Sequence, residues 1–301
     1  SPCRTRLLPV RLFRDMIAAV CEKKQGRNGL SSFQTLVIST ATRVGMGNLV
    51  GVVAAVSAGG AGAVFWMWIT GVFGIATKYS ETFAAVKYRV KDHNGDMLGG
   101  AMYAWKRGFT DKDGKTPWWA LLGAGAFALF AAIASFGIGS AMTEVISTNL
   151  PGVPAWGIGL AIVIMVSVVI FGGVKVISNV CEKLVPFMAI AYIWGCVVIL
   201  GMNWELVWRA FCLIVESAFT AKAAFGGALG SGLMLALQFG CARGLFSNES
   251  GLGSAPIVAS AAATRNPARQ ALVSMTGTFW DTVIICLLTG LVLVSTMLGN
   301  A

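Results

Sequence analysis

Long apolar runs alternate with short polar connections along this chain. Seven runs lie at about 33–58, 61–86, 117–145, 154–173, 184–202, 226–263 and 271–298. Each supplies roughly the 20 apolar residues that carry a helix across about 30 Å of hydrocarbon. The connections are polar and mostly basic: the leader RLFRDMIAAVCEKKQGRNG, the loop KYRVKDHNGDMLGGAMYAWKRGFTDKDGKTP, the turn NLPGVP, the short GGVKVISNVCEK, the stretch NWELVWRAFCLIVESAFTAKAAFGG, and TRNPARQ. The pattern predicts an all-α polytopic membrane protein, with a basic leader over 1–32 and one transmembrane domain over 33–301.

Two runs are not ordinary helices. The sixth holds 38 residues and would be about 57 Å long as one continuous helix at 1.5 Å per residue. It must tilt steeply or break. The stretch ARGLFSNESGLGSAP, Ala242 to Pro256, supplies a break. Gly244, Gly251 and Gly253 lower helix propensity, while Ser247, Asn248 and Ser250 offer the backbone other partners. The first run carries a smaller version, TRVGMGNLVG, with Gly45, Gly47 and Gly51 around Asn48. Irregular backbone at membrane depth is tolerated only where protein buries it or it lines a wet cavity. Glycine-interrupted helices in the first and sixth positions point to an inverted-repeat transporter. There, unwound carbonyls coordinate a cation and half-helix amino ends receive a carboxylate.

Charge fixes orientation and marks depth. Of the 23 basic residues, eighteen fall in one alternating set of loops together with the leader, two (Arg209 and Lys222) in the other set, and three inside runs. The leader is therefore expected on the cytoplasmic side. Arg43, Arg243, Glu249 and Asp281 fall near mid-depth. Isolated charges there cost about 2.5–3.5 kcal/mol each on insertion scales. Arg43 or Arg243 is expected to pair with Glu249 or Asp281, as a substrate-facing network or as struts between helices. Lys78 and Glu81, spaced i,i+3, are expected to pair with each other.

Composition narrows the function classes. The chain is 56% hydrophobic and 12% charged, against about 25% charged in soluble domains. Its net charge of +10 is membrane topology rather than a nucleic-acid stripe. The seven cysteines show no metal or disulfide spacing, and the single histidine, His93, lies in a polar loop. No HExxH, GxSxG or serine–histidine arrangement supports a membrane-embedded enzyme using Glu249 and Asp281 as paired carboxylates.

Several motifs carry a resemblance: GLSSFQ, RVGMGNLVGV, GGAGAVFWMWITGVFGIATKYSE, GGAMY, and ARGLFSNESGLGSAP followed by NPARQ. In order and spacing over nearly the whole chain, they resemble the sodium:alanine symporters, the alanine or glycine:cation symporter family. Three positions depart from the family pattern. Met46 stands where the family usually has Thr, and Ala61 and Ala101 stand where it usually has Pro. A thioether at Met46 would make the pocket smaller and greasier.

The resemblance implies a LeuT-type fold of ten core helices in two inverted repeats. On it, the first seven core helices lie in this chain, which is expected to be an internal fragment of a longer transporter. The resemblance further implies sodium ligands at the carbonyls of Arg43 and Val44, the Asn48 side chain and the Ser247 hydroxyl. It implies a substrate carboxylate on the amides of Met46 and Gly47, and a substrate ammonium on the carbonyls of Phe246 and Ser247. Glu249 and Gly251 would line the pocket. A second sodium, held in that group between the first and eighth helices, would find an incomplete site here. The expected activity is Na⁺-coupled symport of alanine or glycine by alternating access, in a multi-pass protein of the plasma membrane (a bacterial inner membrane), with Na⁺ as coupling ion, the lipid bilayer as surroundings, no other cofactor and no nucleic acid. A proton-coupled porter using Glu249 or Asp281 keeps the fold and changes the ion.

Overall fold

The computed structural model describes residues 11–20, 30–41, 43, 45–93, 95, 97–150, 152–220, 232–264 and 266–300, apart from the side chains at 46, 136–141 and 174–175. Helices dominate. After α1 (Phe13–Val20), α2 (Ser32–Ala41) opens on a reciprocal cap: Gln34 N donates to Ser31 Oγ and Ser31 N donates to Gln34 Oε1, both at 3.0 Å. Two amides with no acceptor inside the helix are thereby satisfied. α2 stops at Ala41 and α3 (Met46–Gly59) begins five residues later, so the first apolar run is interrupted.

The central element is α4 (Gly62–Lys87). It ends in a loop carrying a two-stranded antiparallel hairpin, β1 (Val90–Lys91) with β2 (Met97–Leu98), a small departure from an all-α chain. Then come α5 (Ala101–Gly108), α6 (Trp118–Asn149), α7 (Ala155–Phe171), α8 (Gly173–Met202) and α9 (Trp204–Phe219). Two of these correct the boundaries drawn from hydropathy. α8 begins well before residue 184, because Gly173 at φ 75 takes the turn and the polar stretch after it stays helical. Its Glu182 accepts from Gln34 Nε2 of α2 at 3.0 Å. α9 occupies the first part of the region read as a connection, and buries the narrow i,i+4 stripe Ala210, Ile214, Ala218.

The sixth run divides into α10 (Gly232–Asn248) and the short α11 (Ala255–Ser260). The last run begins at α12 (Pro267–Thr278), with Asn266 Oδ1 capping Ala268 N and proline in the first turn. It passes through a π-helical segment, Phe279–Cys286, into α13 (Leu287–Gly299). By length and composition, three described stretches suffice to cross a membrane: Trp118–Ser135, Val176–Met202 and Pro267–Gly299.

Small residues let α4 reach its neighbours. It packs against α9, α10, α11, α12 and the π segment. A Cβ at Gly62 would lie 2.5 Å from the Ser217 carbonyl of α9, and one at Gly71 2.6 Å from Thr282. On the facing helix, a Cβ at Gly240 would lie 2.4 Å from the Ala63 carbonyl. Lipid supplies no hydrophobic drive between helices, so such backbone contact carries their association. The main core cluster, including Val52, Val56, Val64, Met67, Ile214 and Val294, lies among α3, α4, α9 and α13.

Candidate cation and substrate site at two helix interruptions

The two interrupted helices lie side by side and run in opposite directions. α3 packs on α10, and α2 packs on α11. Residues flanking α2 and α11 form a short parallel bridge: Leu30 N donates to the Ala261 carbonyl at 3.0 Å, and Ala263 N to the Leu30 carbonyl at 2.8 Å. With both ends registered, the interruptions come to the same level.

A polar cluster forms where they meet. Ser247 Oγ, in the last turn of α10, donates to Asn48 Oδ1 in the first turn of α3 at 2.6 Å. The same oxygen lies 3.1 Å from Asp281 Oδ2 and 3.3 Å from Cys286 Sγ, both in the π segment. Thr282 Oγ1 donates to Asp281 Oδ2 at 2.9 Å. Asn48, Ser247, Asp281 and Thr282 are all buried, with Asp281 at 0% exposure. Asp281 Oδ1 and Asn48 Nδ2 have no hydrogen-bond partner among the described residues. Ser247 has one hydroxyl proton for two oxygen acceptors. The cluster therefore gathers hard oxygen lone pairs around a buried carboxylate, the ligand type that suits a small alkali cation.

The interruptions also present backbone groups. Met46 and Gly47 stand at the first turn of α3, where amides have no acceptor within the helix. Gly47 faces Ser247, whose Cα a Cβ at Gly47 would approach to 3.6 Å. At the other interruption, Phe246 and Ser247 lie in the last turn of α10, where carbonyls lack intrahelical donors. The Phe246 side chain is 56% exposed, so only its carbonyl belongs to the interruption. Glu249 follows at φ 52 and Gly251 at φ 94, left-handed turns that end α10. The Glu249 carboxylate is engaged by the Ser254 hydroxyl at 2.9 Å. Val44 lies outside the described residues.

The charges gather unevenly. Arg43 is 2% exposed, donates from Nη2 to Ser39 Oγ, and packs on Gly277, where a Cβ would lie 2.6 Å from Nη1. Its Nε and Nη1 have no hydrogen-bond partner among the described residues. Arg243 is only half-buried on α10. Lys78 and Glu81 do pair, at 3.4 Å. Outside the membrane-length helices, Arg89 donates to the carbonyls of Ser260, Ala262 and Thr264, and burial lowers its pKa from the ordinary guanidinium value.

Comparison with known proteins fits this arrangement. A family model described as the sodium:alanine symporter family matches residues 2–301. The chain belongs to this family. It is 49% identical over 283 residues to an uncharacterized transporter of Haemophilus influenzae, covering 92% of this chain and 60% of that protein. It is 47% identical over 270 residues to the sodium/alanine symporter AgcS of Methanococcus maripaludis, covering 88% and 57%. It is 35% identical over 292 residues to the probable sodium/glutamine symporter GlnT of Bacillus subtilis, covering 96% and 59%. The chain spans about three fifths of the length of these relatives. The family is one of transporters, not enzymes, and with its apolar helices the chain is a multi-pass integral protein of the plasma membrane.

Two contacts in this region carried no local sign in the sequence. Thr282 joins Asp281 through the π segment, which hydropathy does not distinguish from an α-helix. Lys78 reaches across 171 residues to the Glu249 carbonyl, beyond its local i,i+3 partner.

Proposed function

We propose that this chain forms the substrate-binding part of a Na⁺-coupled symporter for a small neutral amino acid, alanine or glycine. One observation carries the reading: Asn48, Ser247 and Asp281 converge in a buried, acceptor-rich cluster where two interrupted helices meet. Na⁺ would take the oxygens of Asn48, Ser247, Asp281 and Thr282. The amino-acid carboxylate would take the first-turn amides at Met46 and Gly47. Its ammonium would take the carbonyls at Phe246 and Ser247. The antiparallel pair of interrupted helices supports a LeuT-type inverted-repeat core.

The chemistry is coupling by shared charge. A cation beside Asp281 offsets a carboxylate that is otherwise costly at mid-depth. The bound cation then favours the carboxylate end of the zwitterion next to it. Each ligand raises the affinity of the other by the same factor. Binding of both at one level, reached alternately from either face, converts a Na⁺ gradient into uptake.

A second reading has a specific basis. Asp281 Oδ1 is buried without a hydrogen-bond partner among the described residues, and one relative, from Bacillus subtilis, is called a putative sodium/proton-dependent alanine carrier protein, YrbD. A proton on Asp281 would do the work of Na⁺. Labelled alanine and glycine uptake into proteoliposomes separates the two. An inward Na⁺ gradient that drives uptake, with none when K⁺ replaces it, supports sodium. Uptake indifferent to Na⁺ and driven by an acid-outside gradient supports the proton.

A further inference from the structure

Lys78 and Glu81 stand one turn apart on α4, with Lys78 Nζ 3.4 Å from Glu81 Oε2 and Lys78 wholly buried. Removing a buried ion pair from water generally costs more than the pairing returns, unless further partners complete it. Here the further partners are backbone groups of the second interruption. Lys78 Nζ donates to the Glu249 carbonyl at 2.6 Å, just past the end of α10. The Glu81 carboxylate faces the backbone amides of Gly251 and Gly253, and its Oε2 makes no hydrogen bond among the described residues. Each charge meets the peptide dipole of opposite sign: the ammonium at the carbonyl end of a helix, the carboxylate at the amides of the turn that follows.

The backbone between these anchors is unusual. Glu249, Gly251 and Gly253 have φ of 52, 94 and 75. Gly74, one turn before Lys78, lets the interruption close on α4, since a Cβ there would lie 2.9 Å from Ser250 Oγ. Ser247 is two residues before the anchored carbonyl, so any slip of that carbonyl moves the hydroxyl that meets Asn48 and Asp281.

We infer that the Lys78–Glu81 pair is the positioning element of the site: a peg on α4 that holds the second interruption in register by bonding a carbonyl with one charge and facing the amides of the following turn with the other. Neither residue touches the cation or the amino acid; both act through the placement of Ser247. The inference rests on the sodium-site reading above. It also fixes a polarity. Exchanging the two residues keeps an ion pair on α4 but sets a carboxylate against a carbonyl and an ammonium against amides. A pair that merely stiffened α4 would tolerate the exchange.

The test is labelled alanine uptake and equilibrium binding in proteoliposomes as a function of Na⁺, for wild type, Lys78→Arg, Lys78→Met, Glu81→Gln and the exchange Lys78→Glu with Glu81→Lys. Lys78→Met, Glu81→Gln and the exchange are expected to raise half-saturating Na⁺ about tenfold or more, because the competent register becomes a minor population. Uptake at saturating Na⁺ is largely kept, and Lys78→Arg recovers most of the affinity. Glu81→Gln, nearly isosteric, carries the test if Lys78→Met does not fold. Unchanged half-saturating Na⁺ in both neutral variants, or recovery in the exchange, overturns the peg. Wild-type uptake with no Na⁺ dependence overturns the sodium reading instead. The peg is then judged by half-saturating alanine in the same variants, and no change there overturns it as well.

Discussion

The Ser247 hydroxyl donates to Asn48 Oδ1 at 2.6 Å across 199 residues of sequence, and this hydrogen bond joins two helices at the level where each is interrupted. Asn48→Ala removes the acceptor and, on the proposed reading, a cation ligand. Half-saturating Na⁺ for alanine uptake is expected to rise about tenfold or more, from the loss of one buried polar partner. Unchanged Na⁺ dependence would remove Asn48 from the site.

Asp281 gives a sharper test, because its effects on function and stability run in opposite directions. Asp281→Asn removes the buried charge that the proposed cation would offset, and Na⁺-driven uptake is expected to fall about a hundredfold. Thermal stability in Na⁺-free detergent should hold or rise, since a poorly paired buried carboxylate is gone. The Na⁺-dependent rise in Tm should vanish with it. A variant that keeps that rise would place the cation elsewhere.

Packing around α4 predicts two opposite outcomes for one kind of substitution. Gly240→Ala would put a Cβ 2.4 Å from the Ala63 carbonyl and 2.8 Å from Trp66 Cβ, forcing backbones apart at a cost of about 1–3 kcal/mol. Gly195→Ala, within α8 with nothing inside 4 Å of its added Cβ, is expected to stabilise by about 0.5–1 kcal/mol through helix propensity. Thermal unfolding in detergent reads both; equal shifts would contradict the packing argument.

Arg89 fastens the far end of α11 by donating to the carbonyls of Ser260, Ala262 and Thr264. Arg89→Ala is expected to cost about 1–3 kcal/mol of stability, the range for losing charged hydrogen bonds at a half-buried site. Arg89→Lys should recover only part, because an ammonium cannot reproduce a planar fork aimed at three carbonyls. Full recovery by lysine would mean that charge alone matters. Tm measurement of both variants decides it.

Both interruptions were legible because their cause is local. Glycine, serine and asparagine around Asn48 and Ser247 weaken the helix wherever they stand. The Lys78–Glu81 pair was legible for the same reason, through its i,i+3 spacing. Its second role was not, since the Glu249 carbonyl approaches only after α4 and α10 have packed. Asp281 was visible as a costly charge at depth, but its neighbours depend on how the π segment turns it toward Ser247. α9 was hidden by Glu205, Arg209 and Glu216, charges that lowered its apolar signal while the narrow Ala210–Ile214–Ala218 stripe did the packing. Charge balance left four pairings open, between Arg43 or Arg243 and Glu249 or Asp281, and it could not foresee that Gly277 leaves room for the Arg43 guanidinium to settle on α12 beside Ser39.

The bridge from Leu30 to Ala261 and Ala263 has a mechanical consequence. Backbone hydrogen bonds join the start of one half-helix to the end of the other, and a join of this kind does not depend on which side chains surround it. In the proposed transport cycle the two bridged halves would then be one moving part. A stroke that swings α2 would carry α11 with it, with hinges at the two interruptions, where the helices have already given up their continuous ladders.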